Sequence, residues 1–189
     1  MLIDEINDYQ PDCEEEKKEK ENFLLFLKRN PDCLSRACLN GQVSSSAWIV
    51  NKTHDRYLMC YHRIYDSWSW IGGHADNESD TLKVAIKESQ EETGIKNFKV
   101  LDDKIFSLEC LCVLGHYKRG QFVSSHLHYN VTYLLEADDL DSLIIKEDEN
   151  KGLKWFTREE VLTRPSEPWM VEHIYKKMIR KSDLFFEKK

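Results

Sequence analysis

The spacing of hydrophobic and polar residues divides the chain into segments with two different periods. Alternation of apolar with polar residues, or a short apolar run bounded by turn residues, predicts a β-strand. Six segments have this character: Ser44–Asn51, Tyr57–Ile64, Phe98–Leu101, Ile105–Val113, His126–Leu135 and Leu153–Phe156. Apolar residues at steps of three and four predict helices. We expect helices over Asp4–Arg29, Asp32–Leu39, between Asp80 and Gly94, after a capping box formed by Thr157 and Glu160, and over Trp169–Lys181.

The predicted helix between Asp80 and Gly94 has one side made of apolar and small residues. These recur at steps of three and four, at Leu82, Ala85, Ile86, Ser89 and Thr93. Asp80 suits the N-cap, because its carboxylate can accept from the first free backbone N–H groups. Gly94 suits the C-terminal end, where glycine commonly stops a helix.

A different side of the same helix carries Glu88, Glu91 and Glu92. Like charges at these spacings destabilise a helix by about 0.2–0.5 kcal/mol per pair. A bound divalent cation would offset that repulsion, and carboxylate oxygens on a rigid element suit Mg²⁺ or Mn²⁺. The alternative interpretation is a solvated acidic face, the usual fate of a run of charge.

Composition narrows the class of protein. The 189 residues suffice for one domain with an extension, and 41% hydrophobic and 11% aromatic content are typical of a globular chain. A formal net charge of −7 argues against nucleic-acid polymers, which select basic surfaces, but not against nucleotides. No apolar run is long enough to span a bilayer, and Met1–Gln10 lacks the features of a signal peptide. The six cysteines form no CxxC pair, so their spacing does not indicate a zinc site. With no sign of export, we expect reduced thiols and a cytoplasmic location.

The stretch Trp70–Ile95, WIGGHADNESDTLKVAIKESQEETGI, resembles the Nudix box, G-x5-E-x7-R-E-U-x-E-E-x-G-U with U aliphatic. Six residues keep their register across 23 positions: Gly73, Glu88, Glu91, Glu92, Gly94 and Ile95. Three positions depart from the pattern, because Ser79 stands for the first Glu, Lys87 for the Arg and Ser89 for an aliphatic residue. The first Glu and the Arg pair structurally in the family, so this chain has lost both partners of a salt bridge. Glu78 or Asp76 is an alternative outer ligand.

The resemblance implies an α+β fold, a Nudix α/β/α sandwich with a mixed central sheet. It implies that residues 1–41 form a helical extension packed on a Nudix domain of residues 42–189. The segments WSWIGGHAD, SSHLHYNVTYLLEA and DENKGLKWF are also similar to a bacterial Nudix subgroup whose members mostly have no assigned substrate.

The chemistry implied by the resemblance is hydrolysis of a nucleoside diphosphate joined to a second moiety, with water attacking phosphorus. By position, Glu88, Glu91 and Glu92 would bind Mg²⁺ or Mn²⁺, with the Gly73 carbonyl as a further ligand. The general base varies in the family. Here it is Glu92 or Glu91, or a carboxylate of a later loop, for which Glu149 and Glu147 are the candidates.

Aromatic and basic residues near the box are candidates for substrate binding. Of Trp68 and Trp70, we expect one to pack beneath the glycine loop and the other to stack on a base or sugar, and the sequence does not decide between them. Trp70, the neighbour of the loop, is taken as the candidate for substrate binding. The glycine-bounded loop around Lys118 and Arg119 either contacts phosphate or is an exposed hairpin turn.

His126 and His128 share one face of a predicted strand with Asn130 and Thr132. Such a pair can line a substrate pocket or bind a further metal ion. We favour pocket lining.

Two other functional classes share this fold. One is a nucleotide-sensing module that has lost catalysis, which the departures at Ser79 and Lys87 keep open. The other is isopentenyl diphosphate isomerase, whose catalytic cysteine and glutamate motifs are not evident here. The identity of the substrate and the oligomeric state are left open by the sequence.

Overall fold

The computed structural model describes residues 1–64, 66–118, 120–146 and 150–188, with Lys118 described in its backbone alone. The helices are α1 (Leu2–Asp8), α2 (Glu14–Arg29), α3 (Thr81–Thr93), α4 (Arg158–Thr163), α5 (Pro168–Met170) and α6 (Lys176–Glu187), with a π-helical turn at Val171–Tyr175. The strands are β1 (Gln42–Asn51), β2 (Arg56–His62), β3 (Ser67–Ser69), β4 (Ile71–His74), β5 (Lys99–Val100), β6 (Ser107–Val113), β7 (His116–Lys118), β8 (Gln121–Val123), β9 (His126–Ala137) and β10 (Asn150–Thr157). The predicted fold class, α+β with a mixed sheet and N-terminal helices, is confirmed.

Contacts within the chain define two compact units. Unit 1 contains residues 1–46, 72–85 and 103–133. Unit 2 contains residues 47–71, 86–102 and 134–189. Four elements continue along the chain from one unit into the other: β1, β4, α3 and β9.

In unit 1, the N-terminal helices pack on strands β6 and β9. The two strands pair antiparallel, with Ser107 opposite Thr132 and Val113 opposite His126. On α2, the rings of Phe23 and Phe26 are buried, with centroids 5.3 and 3.9 Å from the ring of Tyr129. Burying a phenylalanine contributes about 1.5–3 kcal/mol. The predicted docking of this helix through its apolar C-terminal half is therefore confirmed.

The N-terminal segment differs from the sequence prediction in two ways. The single helix expected over Asp4–Arg29 is divided into α1 and α2, and Pro11 lies at the break. Proline has no backbone N–H and clashes with the preceding helical turn, which explains the division.

The second difference concerns the charged run Glu14–Glu21 at the start of α2, a pattern that predicts a solvated face. This expectation is wrong at Glu16, which is 0% exposed. The Glu16 carboxylate accepts hydrogen bonds from the Asp12 backbone N–H at 3.2 Å and from the Ser107 hydroxyl at 2.9 Å. Burial, and then the neighbouring Glu16, raise the pKa of the Tyr9 hydroxyl well above its ordinary value. A buried carboxylate thus ties the first turn of α2 to β6.

Polar side chains fill part of the interior of unit 1. Asn130 donates to the Ser46 hydroxyl at 2.8 Å and to the Glu109 carboxylate at 2.9 Å. The Thr132 hydroxyl donates to the same carboxylate at 2.9 Å. All four residues are buried. Because buried polar groups are costly unless they are hydrogen-bonded, this network specifies how the two strands β1 and β9 face each other here.

In unit 2, β2 pairs with several strands, including β1 at Val50 opposite Tyr57. It pairs antiparallel with β10, from Asn150 opposite His62 to Thr157 opposite Arg56, and with β3 through Cys60–His62. The buried Trp48 ring lies 5.0 Å from Tyr57 and 6.3 Å from Tyr175. Its indole N–H donates to the Ser182 hydroxyl of α6 at 3.0 Å, so the polar end of the tryptophan is satisfied.

Helix α3 begins and ends as its sequence predicts. The Asp80 carboxylate accepts from the Lys83 backbone N–H at 3.0 Å, which is an N-cap hydrogen bond. Gly94 has φ of 74°, and its backbone N–H donates to the Gln90 carbonyl at 3.0 Å. A Cβ at Gly94 would lie 2.7 Å from the Ile144 Cβ, so glycine is required both for its conformation and for its contact.

The capping box predicted for α4 is also confirmed. The Thr157 hydroxyl accepts from the Glu160 N–H, and the Glu160 carboxylate accepts from the Thr157 N–H at 3.1 Å. Lys154 donates to Glu160 at 2.9 Å. The hydrogen bonds from Lys154 and then from the Thr157 backbone lower the pKa of Glu160.

The helix predicted over Asp32–Leu39 is wrong. Backbone hydrogen bonds there span three residues, from Ser35 to Asp32 and from Cys38 to Ser35, so the segment forms turns. The Val43 N–H donates to the Cys33 carbonyl at 2.9 Å and diverts it from any helical bond. In the described ranges, no helix is both long and apolar enough to cross a membrane. All six cysteines are free thiols.

Candidate metal-binding and catalytic site

Helix α3 brings the three glutamates of the box motif into unit 2, with very different environments. The Glu91 side chain is 43% exposed, whereas that of Glu88 is 12% exposed. Glu92 is the most buried of the three, at 5% for the whole residue. The three carboxylates therefore line one side of the helix from its surface inwards.

Two lysines lie against the two outer carboxylates. The Lys87 Nζ atom is 3.3 Å from a Glu88 oxygen and 3.5 Å from a Glu91 oxygen. The Lys146 Nζ atom lies 3.6 Å from the other oxygen of Glu91. Burial, above all, raises the pKa of Glu88, although the neighbouring Lys87 acts in the opposite direction. The motif's Arg position is thus occupied by a lysine that pairs with the acidic cluster itself.

Glu92 is held by a residue that the sequence did not indicate. The Asn150 side chain, on β10, donates from Nδ2 to Glu92 Oε2 at 3.0 Å, and Asn150 is 1% exposed. Burial, and then the Glu92 carboxylate, raise the pKa of the Cys60 thiol. Asn150 lies 58 positions from Glu92, and although it falls in the DENKGLKWF segment, nothing in the local pattern of that segment indicates this contact.

The loop that precedes α3 belongs mainly to unit 1. Gly73 lies on β4, and the neighbouring Gly72 has no room for a side chain, since a Cβ would lie 2.4 Å from the Ser46 Cβ. Asp76 forms a bidentate pair with Arg36, at 2.5 and 2.7 Å. Glu78 pairs with Lys83, and Ser79 is exposed. Both candidate outer ligands, Asp76 and Glu78, thus have basic partners in their own unit.

The tryptophans of unit 2 are placed differently from each other. Trp70 is 7% exposed, and its ring meets that of Tyr175 edge-on at 5.7 Å. Trp68 is half-buried and packs on Phe156 at 4.7 Å. The contact with substrate predicted for Trp70 stays a prediction.

Four predicted site residues lie wholly or partly outside the described residues. Arg119, Glu147 and Glu149 lie outside the described residues. The backbone of Lys118 pairs with Gln121 in the hairpin of β7 and β8, and its side chain is not described. Phosphate contact by Lys118 or Arg119, and a catalytic role for Glu149, therefore stay predictions.

His126 and His128 lie in unit 1, on the first part of β9, together with His74 of β4. The Nε2 atoms of His126 and His128 are 3.0 Å apart, and the His74 ring lies 4.7 Å from that of His128. Burial, followed by the charges of His74 and His126, lowers the pKa of His128 to about 3. The sequence paired the two histidines but gave no reason to add His74.

A comparison with family models identifies residues 42–181 as a NUDIX domain. The chain therefore belongs to the NUDIX family, and it is a diphosphate-hydrolysing enzyme of that class. The match covers the acidic helix, the glycine loop and the strands of both units, and it confirms the family resemblance of the box motif.

Solved structures show the same fold at low sequence identity. An Ap4A hydrolase from C. elegans has a TM-score of 0.56 at 18% identity, covering 78% of this chain and 98% of that one. A Nudix hydrolase from M. smegmatis has a TM-score of 0.53 at 11% identity, covering 76% and 88%. The dihydroneopterin triphosphate pyrophosphohydrolase of E. coli has a TM-score of 0.51 at 16% identity, covering 71% and 95%. A comparison with curated proteins found no significant match.

Proposed function

We propose that this enzyme is a metal-dependent Nudix hydrolase that cleaves the diphosphate linkage of a nucleoside diphosphate joined to a second moiety, by attack of water on phosphorus. One observation carries the proposal. Three carboxylates of graded burial lie on one side of α3, and two lysine ammonium groups lie within 3.6 Å of them. Negative charge is thus concentrated at one place within unit 2, on the residues that match the box motif.

The donor set fits a hard divalent cation. Glu88, Glu91 and Glu92 offer carboxylate oxygens, which Mg²⁺ and Mn²⁺ prefer. Glu88 is also largely desolvated, and burial raises its pKa, so a cation beside it would stabilise its ionised form. When bound, Mg²⁺ or Mn²⁺ would reduce the charge on the diphosphate and acidify a bound water. Gly73, the further ligand suggested by the motif, stays a prediction.

The residues of the chain then have distinct tasks. Asn150 fixes the Glu92 carboxylate, since it is a buried donor to one of its two oxygens. Glu91 is the most exposed of the three carboxylates, and it can accept a proton from water at the open end of the cluster. Glu92, Glu91 and Glu149 remain the candidates for general base.

Lys87 replaces the arginine of the motif and pairs with two of the proposed metal ligands. A cation that binds there must compete with this ammonium group, or the lysine must turn towards the phosphates of the substrate. We therefore expect the enzyme to need a higher Mg²⁺ concentration than it would with an uncharged residue at this position.

The proposed substrate is a small nucleotide-like diphosphate, and we propose a cytoplasmic location with no role for nucleic-acid polymers or membranes on the sequence grounds given above. The names of two solved structures, an Ap4A hydrolase and a dihydroneopterin triphosphate pyrophosphohydrolase, add two compounds to those that should be tried.

The test is a screen of diphosphate compounds with Mg²⁺ and with Mn²⁺, with chromatographic detection of both phosphate-containing products as the readout. The panel contains nucleoside triphosphates and their oxidised forms, ADP-ribose, sugar nucleotides, Ap4A and dihydroneopterin triphosphate. Wild type is compared with Glu91→Gln and Glu92→Gln, which keep the side-chain shape and remove one negative charge each. Glu187→Gln, an exposed glutamate of unit 2, is the matched control.

We expect metal-dependent turnover of at least one compound, lost in the Glu91 and Glu92 variants and kept in the control. Turnover that is unchanged in both variants would refute the assignment of the site. Tight binding of one compound without turnover would instead identify a sensing module, with Ser79 and Lys87 as the replacements that removed catalysis.

A further inference from the structure

A further group of metal-ligating side chains, among the described residues, lies in unit 1. It consists of His74 on β4 and of His126 and His128 on β9, and we call it the histidine triad. One ring nitrogen of each residue lies within 4.8 Å of a ring nitrogen of the other two, and all three residues are half-buried. We propose that the histidine triad binds a borderline divalent cation of the Zn²⁺ type, separately from the Mg²⁺ or Mn²⁺ of the hydrolytic site.

The spacing of the nitrogens matches such an ion. With metal–nitrogen bonds of about 2.0–2.1 Å in a tetrahedral site, two ligating nitrogens lie roughly 3.3 Å apart. The Nε2 atoms of His126 and His128 are already 3.0 Å apart, directed at each other from alternate positions of one strand. Small side-chain rotations are therefore enough to place an ion between them, and His74 completes three ligands from a second strand.

The orientation of His126 is fixed as expected for a metal ligand. Its Nδ1 atom lies 2.8 Å from the Ser124 carbonyl, so an Nδ1–H donates to that carbonyl and the Nε2 lone pair points at His128. Histidines that bind metals usually donate their other ring N–H to a carbonyl or carboxylate in this way.

The type of ion follows from the type of ligand. Imidazole nitrogens suit Zn²⁺, Co²⁺, Ni²⁺ and Cu²⁺, whereas carboxylate oxygens suit Mg²⁺ and Mn²⁺. Three protein ligands leave a fourth tetrahedral position for water or for an anionic oxygen, as in catalytic zinc sites. The competing explanation is a plain hydrogen bond between the His126 and His128 rings, in which no ion takes part.

The visible absorption of bound Co²⁺ distinguishes these two explanations. It also distinguishes this site from the carboxylates of α3. Tetrahedral Co²⁺ with nitrogen ligands absorbs strongly in the visible range, whereas Co²⁺ bound to carboxylates and water is octahedral and nearly colourless. We would remove metal from the full-length protein with a chelator, titrate Co²⁺ in the presence of excess Mg²⁺, and then displace it with Zn²⁺. The variants are His128→Gln, His126→Gln and His74→Gln, with exposed His173→Gln as the matched histidine control and Glu91→Gln as the control for α3.

We expect one equivalent of Co²⁺ to give an intense visible band that one equivalent of Zn²⁺ abolishes. Each triad variant should weaken the affinity for Co²⁺ by about 100-fold or more, because even residues that merely support a ligand contribute 10–100-fold. The two controls should retain the band. Circular dichroism identifies any variant that has lost its fold, and the other two triad variants then decide the outcome.

Two results would overturn the proposal. One is the lack of an intense band in wild type at millimolar Co²⁺. The other is a band that persists in folded His128→Gln and His126→Gln proteins, or that disappears in Glu91→Gln, since the ion would then be bound elsewhere. Because the readout is the bound cobalt itself, this test is independent of whether the hydrolase substrate has been found.

Discussion

Replacing Asn150 with alanine should impair catalysis although Asn150 lies outside the box motif. Asn150 lies on β10, and its side-chain N–H donates to Oε2 of the buried Glu92 carboxylate at 3.0 Å. A hydrogen bond to a charged group contributes about 1.5–3 kcal/mol, and roughly 1.4 kcal/mol corresponds to a factor of ten. We therefore expect kcat/KM to fall about 10- to 100-fold, the range also typical of residues that orient a metal ligand.

The assay measures initial rates on the best substrate of the panel across a range of Mg²⁺ concentrations. Asn150→Ala should shift the Mg²⁺ dependence to higher concentrations as well as lowering the rate, because Glu92 is no longer fixed. Mn²⁺ binding, followed by electron paramagnetic resonance, should weaken in parallel. Asn150→Asp should be at least as harmful, since it places a second carboxyl group against Glu92.

Asn97→Ala is the matched control, because Asn97 is an exposed asparagine in unit 2 shortly after α3. It should behave as wild type in all three measurements. A folded Asn150→Ala enzyme with the rate, Mg²⁺ dependence and Mn²⁺ affinity of wild type would show that Glu92 needs no support from β10, and the reasoning would fail.

Four further predictions concern other contacts. Lys87→Met should tighten Mg²⁺ binding by up to about tenfold, since a competing positive charge is removed, and calorimetry that shows weaker binding would contradict this. Glu16→Ala should lower the free energy of unfolding by about 1–3 kcal/mol in urea melts, because buried donors lose their acceptor, whereas exposed Glu14→Ala should change it by less than about 0.5 kcal/mol. Thr157→Ala should lower Tm by about 2–4 °C through loss of the N-cap without affecting activity, and an unchanged Tm would refute the capping argument. Because its pKa is depressed, Glu160 should stabilise the fold above its ordinary pKa of 4.5 and cease to do so as pH falls through the lower folded value, so the Tm difference between wild type and Glu160→Gln should vanish in acid.

The parts of the structure that sequence predicted well are those specified by neighbouring residues. The ends of α3 depend on Asp80 and Gly94, and the box of α4 depends on Thr157 and Glu160, so local spacing is sufficient evidence. The common side of the three glutamates follows from helical periodicity alone. Family membership then followed from the same short stretch, because its spacing is specific.

The parts that sequence missed are contacts between distant residues. Glu16 looks like one charge in a solvated run, and only its partner Ser107, 91 positions away, explains its burial. Asn150 beside Glu92 and His74 beside His128 likewise depend on which strands lie next to each other. The break between α1 and α2 is a different kind of miss. Pro11 lies between the two helices and is a local signal that a helix ends.

The measurement that tests the central claim most directly is hydrolysis in ¹⁸O-labelled water, with Mg²⁺ and the best substrate of the panel, followed by mass spectrometry of both products. If water attacks phosphorus at a site built on the α3 carboxylates, wild type should place one ¹⁸O atom in only one of the two phosphate-containing products. Glu92→Gln should then form that product at a small fraction of the wild-type rate. Label in a product that contains no phosphorus, or equal incorporation by wild type and Glu92→Gln, would contradict the account.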